Sequence, residues 1–303
     1  MAHVPVLYQE VLEMLQPVEN GRYIDGTLGA GGHTAGLLQA SAPEGRVLAF
    51  DRDPEAIAFA RARLADYGER VHYVNDSYAR MAEIAPAVGF AQVDGILLDL
   101  GLSSRQLDDG ARGFAFRLEG PLDMRFDQTQ GETAADLLNN RTEAELSELF
   151  WRYGEEKQSR KIARLIVNHR PISSTTELAD LIAAHSPKQW RIHPATQVFQ
   201  ALRIAVNREL DAVEQGVLAA LDLLKPNGRL AVISFHSLED RFIKQRFRQW
   251  SAACICPPQQ PICTCGGQPR ARLITRKAIQ ASAAEIAQNP RSRSARLRVI
   301  EKI

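Results

Sequence analysis

The sequence of 303 residues lacks any apolar run near the 20 or so residues that span a bilayer. Its first ten residues contain neither a basic leader nor a continuous apolar stretch, so we expect a mature, cytoplasmic chain with no membrane partner. Cysteine is scarce, and all four cysteines lie between positions 254 and 265. Without a secretion signal, disulfides are not expected among them.

Three common active-site motifs are also missing. The dinucleotide fingerprint requires glycines at i, i+2 and i+5; Gly29 and Gly31 satisfy the first two, but Thr34 occupies the third position. No Gly-Lys-Ser/Thr sequence completes a P-loop. No Gly-x-Ser-x-Gly elbow supports a hydrolase with Ser237 as nucleophile and His236 as base. These absences argue against a dinucleotide enzyme, a P-loop NTPase and a serine hydrolase.

The net charge of +1 conceals an uneven distribution. Residues 241–303 hold 13 Lys and Arg against two acidic residues, a net charge of +11, whereas residues 1–240 hold 24 basic and 34 acidic residues, a net charge of −10. Such a basic segment suggests a surface that faces a polyanion, with Arg291, Arg293 and Arg296 as candidate phosphate contacts. The alternatives are a solvated tail, or an edge strand at 297–300 with exposed arginines.

Short apolar strands alternate with helical segments in the first hundred residues. The strands are expected at 22–25, 46–50, 71–74 and 93–98, and Pro54 is placed to begin a helix. This alternation predicts an α/β fold with a parallel sheet covered on both faces. Because ligands bind at the carboxyl ends of such strands, Asp25, Asp51 and Asp99 are expected to gather there.

The pattern changes after Asp99. Residues 101–127 show no sustained period and are expected to form a long loop, and capping-box spacings at 142–145 and 174–177 then predict helices. The α/β pattern resumes near 194, with a turn at 225–228 and a strand at 229–235. We therefore predict a discontinuous sheet domain, residues 1–106 and 197–303, interrupted by a helical domain, residues 107–196.

The glycine-rich turn at 26–32 allows a ligand to approach the backbone closely at the end of the first strand. A site for S-adenosylmethionine needs this approach without a pyrophosphate, and Asp51 is placed to accept hydrogen bonds from ribose hydroxyls. The alternative is that the turn merely closes a βα unit. A second polar cluster, including Ser234 and His236, follows the strand at 229–235 and is a further candidate for function.

The four cysteines could hold a zinc ion, although Cys-x-Cys pairs are tighter than the usual Cys-x₂-Cys spacing. The alternative is unliganded, reduced thiols. The candidate ligands are Cys254, Cys256, Cys263 and Cys265.

Taken together, these strings resemble the bacterial 16S ribosomal RNA cytosine-N4 methyltransferase family, also called MraW. The resemblance covers nearly the whole chain. It is carried by Tyr23-Ile-Asp-Gly-Thr27, Gly31-Gly-His33, Asp51-Arg-Asp-Pro54, Asp94-Gly-Ile-Leu-Leu-Asp-Leu-Gly101, Gly120-Pro-Leu-Asp-Met-Arg125, Tyr153-Gly-Glu-Glu156, Ser234-Phe-His-Ser-Leu-Glu-Asp-Arg241 and Asn289-Pro-Arg291.

The resemblance implies a Rossmann-like S-adenosylmethionine-dependent methyltransferase sheet with an inserted α-helical substrate-recognition domain. It implies methylation of N4 of one cytidine in the decoding centre of 16S rRNA, within the small ribosomal subunit. Whether the protein forms a homodimer is left open by the sequence. Carried onto matching positions, the cofactor site comprises Gly31, Gly32, His33, Asp51, Tyr78, Asp99 and Gln106, with Asp76 as a further candidate for the adenine amine.

Such a reaction is a direct displacement at the sulfonium methyl, in which the enzyme positions a weakly nucleophilic amine and accepts hydrogen bonds from it. Asp99 is the first candidate acceptor, with Ser234 and His236 as alternatives, and Phe114 or Phe116 could stack an extruded base. Two other classes remain open at this point: a nicotinamide dehydrogenase and a non-catalytic, zinc-containing RNA-binding protein.

Overall fold

The computed structural model describes residues 5–186, 193–254 and 267–303, together with 256, 260, 262 and 264. The chain divides into two compact units. The first, the sheet unit, comprises Met1–Gly101 and Ala212–Ile303, and the second, the helical unit, comprises Leu102–Asp211. None of the helices in the described ranges combines the length and the apolar character that crossing a membrane requires.

The sheet unit is built on seven strands in the order β3-β2-β1-β4-β5-β7-β6. β1 to β5 pair in parallel, and β7 is antiparallel to both β5 and β6. The four strands predicted in the first hundred residues are confirmed, which also confirms the α/β class. The strands are β1 (Arg22–Asp25), β2 (Arg46–Phe50), β3 (Val71–Val74), β4 (Val93–Asp99), β5 (Leu224–Ser234), β6 (Ala271–Leu273) and β7 (Arg296–Lys302).

Helices cover both faces of this sheet. Along β4, Ile96 and Leu98 belong to one buried apolar cluster and Leu97 to the other, because successive side chains of a strand point to opposite faces. Both faces are therefore dry, as expected for parallel strands. The helices are α1 (Tyr8–Leu15), α2 (Gly32–Ala40), α3 (Pro54–Arg63), α4 (Met81–Ala87), α12 (Ser237–Trp250) and α13 (Ala283–Gln288), with α11 (Glu209–Leu223) spanning the division between units.

Two details of the sheet differ from the sequence-based expectation. The predicted turn at 225–228 lies inside β5, where it interrupts the regular pairing with β4. Leu224 pairs with Val93 and Arg229 pairs with Gly95, so four residues of β5 lie between these pairs against one residue of β4. Asn227, within this interruption, takes a positive φ of 65°. The strand expected at the edge, residues 297–300, lies within β7, an interior strand whose edge-side neighbour is β6. Pairing on both sides explains why most of β7 is buried.

The helical unit contains six helices among its described residues. The capping boxes predicted at Thr142 and Ser174 are confirmed, since each side chain accepts from the backbone amide three residues later. The helices are α5 (Ser104–Asp108), α6 (Ala134–Asn140), α7 (Glu143–Gly154), α8 (Ser159–Asn168), α9 (Thr175–Ala184) and α10 (Thr196–Asn207).

The sequence places α10 in the sheet domain, whereas in the structure it belongs to the helical unit. Its buried residues, including Val198, Phe199 and Leu202, join the apolar cluster of that unit. α10 approaches α7 so closely that a Cβ at Gly154 would lie 2.5 Å from the carbonyl oxygen of Gln197. The periodicity of α10 predicted an apolar face, but not which core receives it.

Residues 101–127, expected to be a loop, contain α5 and are ordered by buried polar groups. The Arg112 guanidinium donates to the carbonyls of Arg125 and Phe126 at 3.1 and 2.9 Å. Asn207, only 3% exposed, donates to the Met124 carbonyl at 2.7 Å and accepts from the Phe126 amide at 2.8 Å. These bonds satisfy backbone groups that would otherwise be buried without partners.

We expect Asn207→Ala to destabilise the helical unit by about 2–3 kcal/mol, because it leaves buried carbonyl and amide groups without their partner. The exposed Asn168→Ala at the end of α8 is the matched control and should change stability by no more than about 0.5 kcal/mol. Urea denaturation followed by circular dichroism measures both. Equal effects of the two substitutions would contradict the role assigned to Asn207.

Candidate active site

The strand order reverses between β1 and β4. β2 and β3 follow on one side of β1, whereas β4, β5, β7 and β6 follow on the other. The connections after β1 and β4 therefore diverge, and an open parallel sheet binds ligands in the crevice that this divergence leaves at the carboxyl ends of the strands. Asp25 ends β1 and Asp99 ends β4, so both carboxyl groups lie at this reversal.

Asp25 is the most deeply buried carboxyl group at this edge, with 1% of its surface exposed. One oxygen accepts from the Thr34 hydroxyl of α2 at 2.7 Å, and the other accepts from the Thr27 amide at 3.1 Å. Burial nevertheless raises the pKa of Asp25 above its ordinary value, because the charged form is poorly solvated. Asp25 thus connects the end of β1 to the helix that follows it.

The glycine-rich turn is held by Asp51, which follows β2. The Gly29 amide donates to one carboxylate oxygen of Asp51 at 2.8 Å, and the Asp53 amide donates to the other at 2.9 Å. Gly29 and Gly31 take positive φ values of 49° and 76°, a backbone conformation that favours glycine. Each carboxylate oxygen has two acceptor positions, so Asp51 has capacity for the ribose hydroxyls that the sequence assigns to it. Burial raises the pKa of Asp51 to about 6.

Gly32 begins α2 and packs against Pro5, near the start of the chain. A Cβ built there would lie 2.3 Å from the Pro5 side chain. Gly32 therefore serves the packing of the turn itself, as expected if the turn closes a βα unit, and its contact with the cofactor stays a prediction.

Asp99 has a buried carboxylate oxygen that accepts no hydrogen bond among the described residues. Its amide donates to the Thr27 hydroxyl at 2.7 Å, and one carboxylate oxygen lies 3.7 Å from Nε2 of His33. The other oxygen, Oδ1, is buried and accepts no hydrogen bond within the described part of the chain. Burial, with repulsion from Asp25 and Glu239, raises the pKa of Asp99 to about 8. A buried acceptor without a donor is costly unless a ligand supplies one.

His33 and Tyr78 flank the strand ends. His33, in the first turn of α2, is buried, and its ring stacks on that of Tyr8 with centroids 6.0 Å apart. The Tyr78 side chain packs closely on Gly26 and Gly216: a Cβ at Gly26 would lie 3.0 Å from Cβ of Tyr78, and a Cβ at Gly216 would lie 2.4 Å from its ring. Tyr78 therefore packs against the turn after β1. The resemblance implies a second role for it, a contact with the adenine of the cofactor. Asp76 lies nearby in sequence and accepts from the Ser77 amide at 2.7 Å.

Ser234 and His236 are engaged within the protein. The Ser234 hydroxyl, on a residue 1% exposed, points to the Arg296 carbonyl at 3.4 Å. His236 is the N-cap of α12: Nδ1 accepts from the Glu239 amide at 3.5 Å, and a Glu239 oxygen lies 3.1 Å from Nε2. Glu239 also accepts from the Phe235 amide at 3.0 Å. These contacts favour a structural role for Ser234 and His236 and leave Asp99 as the leading acceptor.

Three of the sequence-based candidates lie in the helical unit. Gln106 completes a capping box with Ser103, whose amide donates to it at 3.1 Å. Phe114 is 6% exposed and lies in the core of that unit, so its ring offers no open face to a base. Phe116 is partly buried and stacks on His193 with ring centroids 4.5 Å apart.

Of the four candidate zinc ligands, Cys254 and Cys256 are described, whereas Cys263 and Cys265 lie outside the described residues. The zinc site therefore stays a prediction.

The electrostatics of this edge select among nucleotide-like ligands. Asp25 raises the pKa values of both Asp51 and Asp99 by repulsion, so the three carboxyl groups are close enough to interact. A pyrophosphate would add negative charge to this cluster, whereas a sulfonium and an amino group would reduce its repulsion. The residues thus fit S-adenosylmethionine and not a dinucleotide. The fold and the site define a Rossmann-like, S-adenosylmethionine-dependent methyltransferase.

Comparison with known proteins agrees with this class. The MraW methylase family matches residues 1–303. A relative from Thermomicrobium roseum is 55% identical over 99% of this chain and 94% of its own length, and one from Syntrophobacter fumaroxidans is 50% identical over 100% and 97%. Both relatives carry the name ribosomal RNA small subunit methyltransferase H. The chain belongs to the MraW methylase family.

The structure adds three residues that the sequence-based reasoning did not single out. Thr27 and Thr34 hold Asp25, and Thr27 also accepts from the Asp99 amide. Glu239, 1% exposed, contributes to the raised pKa of Asp99. Thr27 and Glu239 fall within the strings that carry the family resemblance. The hydrogen bond from the Asp99 amide to Thr27 and the effect of Glu239 on Asp99 appear only when segments distant in sequence are adjacent.

We expect Asp99→Asn to stabilise the protein increasingly as the pH rises from about 4 to about 8. The pKa of Asp99 is about 8 in the folded protein against 3.8 ordinarily, so the folded state retains a proton that the unfolded chain releases, and the parent loses stability through this window. The melting temperature of the variant minus that of the parent should rise up to pH 8 and then level off. Asp66→Asn, at an exposed carboxyl group of the same unit, is the control; a parallel rise there would contradict the assignment.

Proposed function

We propose that this enzyme methylates the N4 amine of one cytidine in the decoding centre of 16S rRNA, in the small ribosomal subunit and in the cytoplasm. The proposal agrees with the name that its relatives carry, ribosomal RNA small subunit methyltransferase H. The observation that carries the amine assignment is the buried Oδ1 of Asp99, an acceptor at the end of β4 without a donor among the described residues. An exocyclic N–H is the kind of group that would satisfy it.

S-adenosylmethionine supplies a methyl group on a sulfonium; its transfer breaks the C–S bond, forms a C–N4 bond and leaves one amine proton to be removed. A cytosine amine is a weak nucleophile because its lone pair is delocalised into the ring. Asp99 accepts a hydrogen bond from N4–H, which localises electron density on nitrogen, and takes the proton when ionised. His33, with Nε2 3.7 Å from the Asp99 carboxylate, positions that carboxylate.

The roles of the other residues follow from their contacts. Asp51 binds the ribose hydroxyls while holding Gly29, so cofactor binding and the shape of the turn depend on one carboxylate. Gly31, Gly32 and His33 form the turn against the cofactor. Gln106, in the helical unit, is retained as a cofactor contact on the resemblance alone, beside its capping role.

The function is tested by incubating the enzyme with labelled S-adenosylmethionine and small subunits from cells that lack it. We expect one methyl group per 16S rRNA, recovered as N4-methylcytidine after digestion to nucleosides and mass spectrometry. Label in another nucleoside would overturn the amine assignment. Absence of transfer to any RNA, with S-adenosylhomocysteine binding intact, would overturn the substrate.

The pH dependence of the reaction tests the role of Asp99. Because the ionised carboxylate is the acceptor and its pKa is about 8, kcat/KM should rise with pH up to about 8 and then level off. Asp99→Ala and Asp99→Asn should lower kcat by about 10²–10⁴-fold while the protein stays folded. An unchanged pH profile in Asp99→Asn, with activity like that of the parent, would rule out this role.

Asp51→Ala should weaken binding of S-adenosylhomocysteine by about 10–100-fold, since hydrogen bonds to a charged group contribute about 1.5–3 kcal/mol. Isothermal titration calorimetry measures the Kd, and Asp66→Ala provides a control of equal charge. A Kd within twofold of the parent would show that Asp51 does not bind the cofactor.

A further inference from the structure

Many cations of the basic C-terminal segment have partners within the protein. Arg298 forms a two-point ion pair with Asp240, at 2.7 and 3.2 Å, and Arg296 lies 3.9 Å from the same carboxylate. The other such contacts are Arg246 with Glu214 at 3.5 Å, Arg270 with Asp222 at 2.7 Å, Arg272 with Glu301, and Lys302 with the Leu224 carbonyl at 2.6 Å. These cations, which carry part of the +11 charge, are bound to groups within the protein. They therefore do not mark the surface that faces a polyanion.

Three exposed cations of the segment lack such a partner and converge on one depression. Within the described ranges, Lys244, Arg248 and Arg276 form no ion pair. Lys244 and Arg248 lie four residues apart on α12 and so share a face of that helix, whereas Arg276 follows β6. The depression is lined by these three cations together with Arg298, whose charge is compensated by Asp240. Its full lining comprises Lys244, Phe247, Arg248, Leu273, Thr275, Arg276 and Arg298.

The floor of this depression is rigid. Phe247 is 1% exposed and belongs to an apolar core cluster of the sheet unit. The Thr275 hydroxyl accepts from the Val299 amide of β7 at 2.8 Å. Arg298 is oriented by Asp240. The exposed cations therefore surround a floor of well-anchored side chains. A phosphate bound among these cations would lie in a positive electrostatic potential that exists before it binds.

We propose that this depression, the α12–β6 basic site, binds a backbone phosphate of the RNA substrate. This inference rests on the proposed function. The exposed side chains of Lys244, Arg248 and Arg276 around this shallow depression suit one phosphate of a chain lying across the surface. Phosphate contacts of this kind set the register of a nucleic acid without reading its sequence.

The site has a defined relation to the active edge of the sheet unit. β5 pairs with β4 at Ile233 and Asp99, and α12 begins at Ser237, directly after β5. At 1.5 Å per residue, Lys244 lies about 10 Å along the helix axis from this start. On this proposal, an RNA strand with its target base at Asp99 extends past the start of α12 and places a flanking phosphate at the α12–β6 basic site.

The test compares Lys244→Gln/Arg248→Gln with the parent in binding to undermethylated small subunits over a series of salt concentrations. One phosphate contact contributes about 0.7–0.9 to the slope of log affinity against log salt, so we expect weaker binding and a slope reduced by up to this amount. Arg276→Gln, from a different segment, should also weaken binding, and adding it to the first variant should reduce the slope no further, because all three cations contact the same phosphate. Affinity for S-adenosylhomocysteine and the melting temperature should match the parent.

Arg46→Gln/Arg61→Gln, at exposed positions of the same unit, removes the same charge and is the control. A slope unchanged in the first variant, or reduced equally in the control, would overturn the inference. The melting temperature of parent and variant is also measured with inorganic phosphate. If phosphate stabilises the parent but not the Lys244→Gln/Arg248→Gln variant, and the salt slope for subunit binding is unchanged, the site binds free anions and not RNA, and the inference is overturned. If the parent itself methylates no RNA, the proposed function fails; if the parent methylates RNA and the variant keeps its slope, only this inference fails.

Discussion

The buried carboxyl group of Asp25 is the constraint on which the rest of the site depends. Its two oxygens accept hydrogen bonds from Thr34 and Thr27, so it joins β1 to α2 and shapes the turn between them. Thr27 in turn accepts from the Asp99 amide, which ties the end of β4 to the end of β1. Because Asp25 is almost fully buried, its charge also acts on its neighbours through a poorly screening medium.

That electrostatic effect gives the site its chemical character. Burial is the main cause that raises the pKa of Asp51 to about 6 and that of Asp99 to about 8, and repulsion from Asp25 adds to both shifts. The same cluster that disfavours a pyrophosphate favours a cationic methyl donor, and it leaves Asp99 able to change its protonation state near neutral pH. On the proposed function, cofactor binding and proton transfer both depend on these three buried carboxyl groups at one strand reversal.

Much of the sheet and of the helix starts could be predicted from local pattern. Strands β1 to β4 and the caps at Thr142 and Ser174 depend on residues near one another in sequence. The structure differs from the sequence-based prediction where packing between segments distant in sequence decides the position of an element. β7 is interior because β6 pairs with its outer side, and α10 joins the helical unit because the core there accepts its apolar face. Neither outcome is encoded in the periodicity of the segment itself.

The sequence by itself determined the α/β class, the family resemblance and the three strand-end carboxyl groups, because an acid that ends a parallel strand can lie only at the carboxyl edge of the sheet. The tertiary structure decided how those groups behave. Burial and mutual repulsion raise their pKa values, and Ser234 and His236 are engaged by Arg296 and Glu239. It also decided which cations of the basic segment form ion pairs within the protein, since pairs such as Arg298–Asp240 join residues far apart in sequence.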